Sequence, residues 1–517
     1  MSLAWAGADE TFGLPQLTGV LLLSAVVVLL ALVAVRISAR SGLPTLLLYL
    51  GLGLAIGESG LGIHFSDVYL TQVLGYSALI LILAEGGLTT RWPGIRDVVA
   101  PAAVLSTVGV VVSVAIVGFF AEQLLDLPWQ VALLIGAVLA STDAAAVFSV
   151  LRSVALPRRL SGLLEAESGF NDAPAIILTT ALSVQLAPNP EPQHWWAIAL
   201  LALFELTAGA AIGLAIGWVG AKAVGRIAGA SSSLYSLGVI AIAVIAYAVA
   251  AGLHTSGFIA VYLCGLVLGN TRLPHRAAVT GFAEALGSLS QVGLFVMLGL
   301  LASPVRLSSQ LVPAIVVGLV LLLVARPVSV ALSLTPFRIG LRDQLFVSWA
   351  GLRGAVPIVL ATVPLTVGAS EMLWLFDLVL VLVVIYTLIQ APTLPWAARL
   401  LRVTESVRQV AVNVETTPLE QLKADVLTVE VGPTSKLHGV DILELRLPQG
   451  ANVTLVVRGE TAFVPSSRTG IRHGDQLLIV TTDAAREATE KRIVQVSRHG
   501  RLAGWVGKDS AARRKPT

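Results

Sequence analysis

Two short stretches carry carboxylate, amide and hydroxyl side chains inside segments otherwise apolar enough to lie in lipid. They are Ser141-Thr142-Asp143 and Glu167-Ser168-Gly169-Phe170-Asn171-Asp172. A carboxylate at membrane depth costs at least about 2.5–3.5 kcal/mol on insertion scales, so it faces a bundle interior or a water-filled cavity. On a helix, residues four apart share a face, which puts Ser168 beside Asp172 and Glu167 beside Asn171. The second stretch therefore presents an anionic oxygen cluster next to a carboxylate–amide pair. Pro174 removes a backbone hydrogen bond just beyond it. Ser141 and Thr142, flanked by alanines, leave backbone carbonyls open if their helix is interrupted near Asp143. Hydroxyl, carbonyl and carboxylate oxygens in a dry pocket suit a weakly held monovalent cation. One carboxylate holds a proton or a metal ion, but not both well. That competition is exchange chemistry.

Only two basic residues, Arg326 and Arg353, fall inside apolar runs. Arg353 needs an anionic partner at depth, and Glu167 is the economical choice: the pair would be neutral and leave Asp172 as the titrating group. Arg326 is expected to snorkel or to brace a backbone carbonyl. The other acids at depth are Glu85, Asp143, Glu165 and Glu205, with Glu284 near one end of its run. Glu205 and Glu284 read as structural, each tied to a backbone or a neighbouring helix.

The elements that must position these groups follow from composition. The chain has 517 residues, of which 56% are hydrophobic and 13% charged, with a mean hydropathy of +0.85. Those values lie outside the soluble globular range and define an all-α polytopic membrane protein. Apolar runs of spanning length centre near residues 25, 51, 80, 108, 140, 173, 207, 242, 262, 290, 320, 354 and 384, which makes about thirteen transmembrane helices. Connections after odd-numbered runs carry 15 Lys or Arg residues, and those after even-numbered runs carry only Arg306. This asymmetry places the N-terminus outside and the C-terminal part in the cytoplasm. The N-terminal MSLAWAGADETFGLP has no basic region before the first apolar run, so a cleaved signal peptide is not expected. Cys264, the single cysteine, excludes an intrachain disulfide and reads as a small buried hydrophobe.

Charge density changes after Arg402: 18 of the 34 Lys and Arg residues precede Val403 and 16 follow Arg402. Residues 424–431, 452–458 and 476–482 read as strands. A helix is expected from Asp483, as its cap, to about Gln495. The expected organisation is a transmembrane domain over 1–402, a linker over 403–418, a small α+β domain over 419–500 and a basic disordered tail over 501–517.

These motifs resemble the bacterial monovalent cation/proton antiporters related to sodium/proton exchangers. The resemblance rests on STDAAAVFSVL (141–151), EAESGFNDAPAI (165–176), ARPVSV (325–330) and GLRGAVPIVLA (351–361). KLHGVDILELRLPQGANVTLVVRGE (436–460) and IRHGDQLLIV (471–480) resemble the C-terminal regulatory (RCK-C, or TrkA-C) module of potassium-conductance regulators. Together they cover nearly the whole chain and are similar to the potassium/proton antiporter subgroup.

The resemblance implies inverted repeats, two interrupted helices crossing at the membrane centre, a homodimer, and elevator-like alternating access. By position, Asp172 becomes the shared ion- and proton-binding carboxylate, with Asn171 beside it. Thr142 and Ser168 supply further oxygens, and Asp143 sits in the interrupted helix. Glu167 pairs with Arg353, and Glu85 approaches the site through water. The metal ligands are then Asp172, Ser168 and Thr142. Members with Asn-Asp, as here, imply electroneutral exchange in the bacterial cytoplasmic (inner) membrane. Asp377 and Ala391 depart from the family pattern, which has an amide and a glycine there. The transported ion is K+ or Na+, with K+ favoured by the C-terminal module alone, and no resident cofactor or nucleic-acid partner is expected. The module would sense a cytoplasmic ligand, a nucleotide or dinucleotide.

Other classes are weaker. A sodium-coupled solute transporter needs a roomy pocket with more aromatic lining than 6% aromatic content offers. A ligand-gated cation channel needs a filter-like loop and no titrating Asp beside a Glu–Arg neutraliser. An intramembrane hydrolase has only Gly57-Glu58-Ser59-Gly60, with His64 and His254, to recommend it.

Overall fold

In lipid every backbone N–H and C=O must be satisfied within the chain, so apolar spans become helices. The computed structural model describes residues 14–404 and 416–500, apart from 42, 59, 64, 66, 144–145, 148–149, 152–153, 155, 188–193, 228–231, 272, 274, 420–423, 433–434, 460 and 483–484. Among the described residues, eight helices are long and apolar enough to cross a membrane, and four shorter apolar helices accompany them. The membrane part runs α1 (Leu14–Ser41), α2 (Thr45–Ile56), α3 (Val68–Thr89), α4 (Val99–Leu125) and α5 (Trp129–Val138). It continues with α6 (Arg158–Val184), α7 (Trp195–Ile227), α8 (Ser232–Gly252), α9 (Gly257–Asn270) and α10 (Arg276–Leu301). It closes with α11 (Leu311–Phe337), α12 (Leu341–Trp349), α13 (Ala355–Leu360) and α14 (Leu373–Leu400). Each of the thirteen expected centres lands on one of these helices or at a break beside one. α6 is long enough to span but carries Glu165, Glu167 and Asp172, and it is buried along most of its middle.

A two-element pattern occurs twice. α4 contains a π-turn at Leu105–Gly109 and is followed by α5, which stops at Val138 ahead of a non-helical Ser141–Asp143. α11 contains a π-turn at Leu321–Ala325 and is followed by α12, which stops at Trp349 ahead of a non-helical Gly351–Gly354. Such a recurrence is what internal repeats produce. π-turns are rare and gather at functional sites. Here one of them ends immediately before Arg326, and the other contains Ser106, whose hydroxyl donates to the Glu167 carbonyl at 3.1 Å.

The C-terminal part is a separate unit. Its five-stranded antiparallel sheet has the order β1-β2-β5-β3-β4, with β1 Thr416–Leu419, β2 Ala424–Glu430, β3 Ala451–Arg458, β4 Thr461–Phe463 and β5 Asp475–Thr482. Leu427 opposite Ile479 and Val429 opposite Leu477 fix one register, and Val453 opposite Ile479 fixes the next. These side chains share a core with Ile493 and Val496 of α15 (Arg486–His499). The three expected strands are β2, β3 and β5. Two edge strands had no pattern long enough to announce them; β1 begins inside the stretch expected as linker. Residues 405–415 of that linker, the tail from 501 and the expected cap Asp483 lie outside the described residues.

Candidate functional site

The two breaks meet. The backbone N–H of Asp143 donates to the Leu352 carbonyl at 2.9 Å, tying the loop after α5 to the loop after α12. Asp143 Oδ1 then accepts from the Ala146 backbone N–H at 3.1 Å, a capping contact for the chain beyond the break. A Cβ on Gly354 would overlap the Asp143 carboxylate, so only glycine permits this approach. The crossing of interrupted helices expected from the sequence is thus held by backbone and side chain together.

α6 lies against this crossing and delivers its polar face to it. The Ser141 hydroxyl donates to Asp172 Oδ1. Ser168 Oγ donates to the Thr142 carbonyl at 2.9 Å, and Asn171 Nδ2 donates to Thr142 Oγ1 at 2.6 Å. Asn171, Asp172 and Thr142 are buried, while Ser168 and Asp143 are half-buried. Pro174 sits inside α6 two residues after Asp172 without ending the helix. Asp172, Ser168, Thr142, Asp143 and half-buried Glu85 of α3 all line one cavity of about 430 Å³. The structure therefore brings Asp172, Asn171, Ser168, Thr142, Asp143 and Glu85 to one place.

It does not bring Glu167 to Arg353. Glu167 is engaged instead by both terminal nitrogens of Arg326, Nη1 at 2.5 Å and Nη2 at 2.9 Å, with both side chains almost wholly buried. The reason is angular: Glu167 and Asp172 lie five residues apart on α6, about 140° around the helix. Asp172 faces the breaks and the Glu167 carboxylate faces Arg326, just past the π-turn of α11. Arg353 has a different task. Its Nη1 donates to the carbonyls of Ala140 at 2.9 Å and Ser141 at 2.5 Å, the groups released where α5 stops. A guanidinium at the carbonyl end of a half-helix satisfies those acceptors and the end of the helix dipole. Arg326 also reaches the Val347 carbonyl at 3.3 Å, so the expected brace exists beside an ion pair that was not expected.

Two partners escaped the sequence. Arg326 had a visible signal, as one of two basic residues at depth, but nothing in the spacing chose between the two. Ser141 had one too, inside the first polar stretch, yet only the crossing reveals that its hydroxyl points to Asp172. Asp377 of α14, the departure from the family pattern, pairs with Arg306 at 2.9 Å near the end of the helix. Ser59 and His64, which suggested a hydrolase, lie outside the described residues.

No cation sits opposite Asp172: among the described residues no Lys or Arg forms an ion pair with it, and its hydroxyl donor is neutral. A buried carboxylate of that kind, in a cavity with oxygens around it, can exchange a proton for a small cation.

A family model described as sodium/hydrogen exchanger, transmembrane, matches residues 25–400, and one described as TrkA-C domain matches residues 426–494. The chain is 35% identical to the K(+)/H(+) antiporter NhaP2 of Shewanella baltica, over 94% of this chain and 84% of that protein. It is 39% identical to the K(+)/H(+) antiporter NhaP of Alkalimonas amylolytica, over 74% and 67% respectively. Its fold superposes on the sodium proton antiporter MjNhaP1 of Methanocaldococcus jannaschii with a TM-score of 0.64 at 24% identity, covering 74% of this chain and 99% of that one.

Proposed function

The chain belongs to the sodium/hydrogen exchanger family, the cation/proton antiporters, and from that premise we propose that it exchanges K+ for H+ with Asp172 as the shared carboxylate. The observation that carries this reading is the position of Asp172. It is buried at the crossing of two broken helices, lines a cavity, and among the described residues accepts a side-chain hydrogen bond from the neutral Ser141 hydroxyl. Ser168 and Thr142 present further oxygens, Asn171 holds Thr142 in place, and Asp143 and Glu85 keep the cavity attractive to cations. Protonation of Asp172 releases the metal ion and deprotonation admits it. A single carboxylate doing both makes exchange one-for-one and electroneutral.

Potassium is preferred over sodium because the relatives that span most of the chain are named for K+. Alternating access moves the polar face of α6, with the two breaks, relative to the rest of the protein in a homodimer. The charge asymmetry of the connections supports a bacterial cytoplasmic membrane with the N-terminus outside and the TrkA-C domain inside. That domain senses a nucleotide or dinucleotide and shifts the transporter between conformations.

The test uses purified protein in liposomes loaded with a pH dye, with voltage first clamped by an ionophore and then released. Dye recovery on K+ but not Na+, insensitive to voltage, is expected. Recovery on Na+ alone reassigns the cation. Recovery on neither overturns the exchange reading.

A further inference from the structure

Seven residues before Asp172, Glu165 faces the same cavity. Seven residues return almost to the starting face of a helix, so Glu165, Gly169 and Asp172 form one line about 10 Å long. Gly169 leaves room for Tyr262 of α9: a Cβ there would overlap the Cζ, Cε2 and hydroxyl of that ring. Tyr262 is 2% exposed, and its ring meets Phe170 edge-on at 5.7 Å. Its hydroxyl therefore lies between the two carboxylates, lines the cavity, and has no hydrogen-bond partner of sound geometry among the described residues. Thr90 stands beside it as an acceptor alone, its own proton going to Glu165 Oε1 at 2.7 Å and its carbonyl accepting from Asn270 Nδ2 at 2.9 Å. The lone pairs of the Tyr262 oxygen therefore face the cavity with no donor among the described residues, an uncommon arrangement for a buried polar atom unless something occupies it.

We propose that Tyr262, Glu165 and Thr90 form a second station for the transported monovalent cation, from which the ion passes along Gly169 to Asp172. The station supplies a carboxylate, a phenolic oxygen and a hydroxyl, hard ligands that replace part of a hydration shell without holding the ion tightly. This deepens the antiporter reading above and rests on it. The Ser161 hydroxyl, four residues before Glu165 on the same face and also lining the cavity, is placed to complete the shell.

Tyr262→Phe removes one oxygen and keeps the ring that fills the space over Gly169. In full-length protein in liposomes, the apparent KM for the cation should rise about tenfold while the maximal rate changes less than about twofold, since the loss of one charge-assisted contact is at stake. Glu165→Gln should move KM the same way. The double variant should lose less than the two single effects combined, because the residues act on one ion. A wild-type KM for Tyr262→Phe overturns the station. A second readout needs no transport: Asp172→Asn protein in detergent should still gain thermal stability from thallium(I) alone. Adding Tyr262→Phe should abolish that gain, and no gain in the Asp172→Asn protein also overturns the proposal. Wild-type exchange by Asp172→Asn would instead overturn the antiporter mechanism, so the two failures are distinguishable.

Discussion

Glu167 and Asp172 are five residues apart on one helix and almost equally hidden, 2% and 6% exposed, yet they are built for opposite tasks. Glu167 meets the fork of Arg326 on both carboxylate oxygens. Asp172 meets a serine hydroxyl and an open cavity. Burial alone therefore does not single out the carboxylate proposed for transport. What separates the two is whether a fixed positive charge occupies the carboxylate or the place is left for a mobile one. The 140° between them turns one toward Arg326 and the other toward the crossing.

Removing the charge from each residue separates the two roles. Asp172→Asn keeps the shape and the hydroxyl contact but takes away the anion a cation needs. Exchange should fall to background in the liposome assay while size-exclusion behaviour stays normal. Glu167→Ala should do the reverse and damage folding, because Arg326 is left charged and sealed, a loss of about 3–5 kcal/mol. Thermal unfolding in detergent should show it. Glu167→Ala with Arg326→Met should recover much of the loss, whereas Glu167→Ala with Arg353→Met should not. Recovery through Arg353 would restore the pairing expected from sequence and contradict the geometry.

That expectation failed for an instructive reason. The polar stretches, the interruption near Asp143, the cluster of Asp172 with Asn171, Ser168 and Thr142, and the three longer strands of the C-terminal domain were legible, because each depends on local spacing or composition. Which arginine meets Glu167 depends on how α11 and α12 pack around α6, and no spacing within one helix encodes that. The same holds for Ser141, visible as polar but not as the donor to Asp172. Edge strands of three or four residues are also beyond alternation, since so short a run has no period to read.

Arg353, which bonds backbone carbonyls rather than Glu167, acts on the crossing from the other side. Arg353→Met leaves the Ala140 and Ser141 carbonyls without their donor, at a cost of about 1–3 kcal/mol. Because Ser141 also holds Asp172, the break should shift and exchange should slow in the folded protein. Unchanged exchange with lowered thermal stability would mean that Arg353 braces the crossing without setting its geometry.

The smallest effect belongs to an ion pair of the C-terminal domain, Arg458 with Asp475. Asp475 of β5 receives Nε and Nη2 of Arg458, each at 2.8 Å, and the backbone N–H of Arg472 at 2.8 Å. Burial works to raise its carboxyl, but these three donors outweigh it and hold the group below the usual carboxylate range. A carboxyl lowered in the folded state stabilises above its unfolded value, near 3.9, and that contribution is lost as pH falls through the folded value. The arginine of this pair is 29% exposed, against 7% for Arg326, so water shares its charge and the contribution is modest. In the intact chain, protease nicking of the C-terminal domain should stay flat from pH 7 to about 4 and rise below it. Asp475→Asn should raise nicking slightly at pH 7 and flatten the acid rise. A rise already near pH 6 in both proteins would place the acid sensitivity in a group other than Asp475. It would also end the parallel between the two Arg–carboxylate pairs, one closed and structural, the other half-open and tunable by pH.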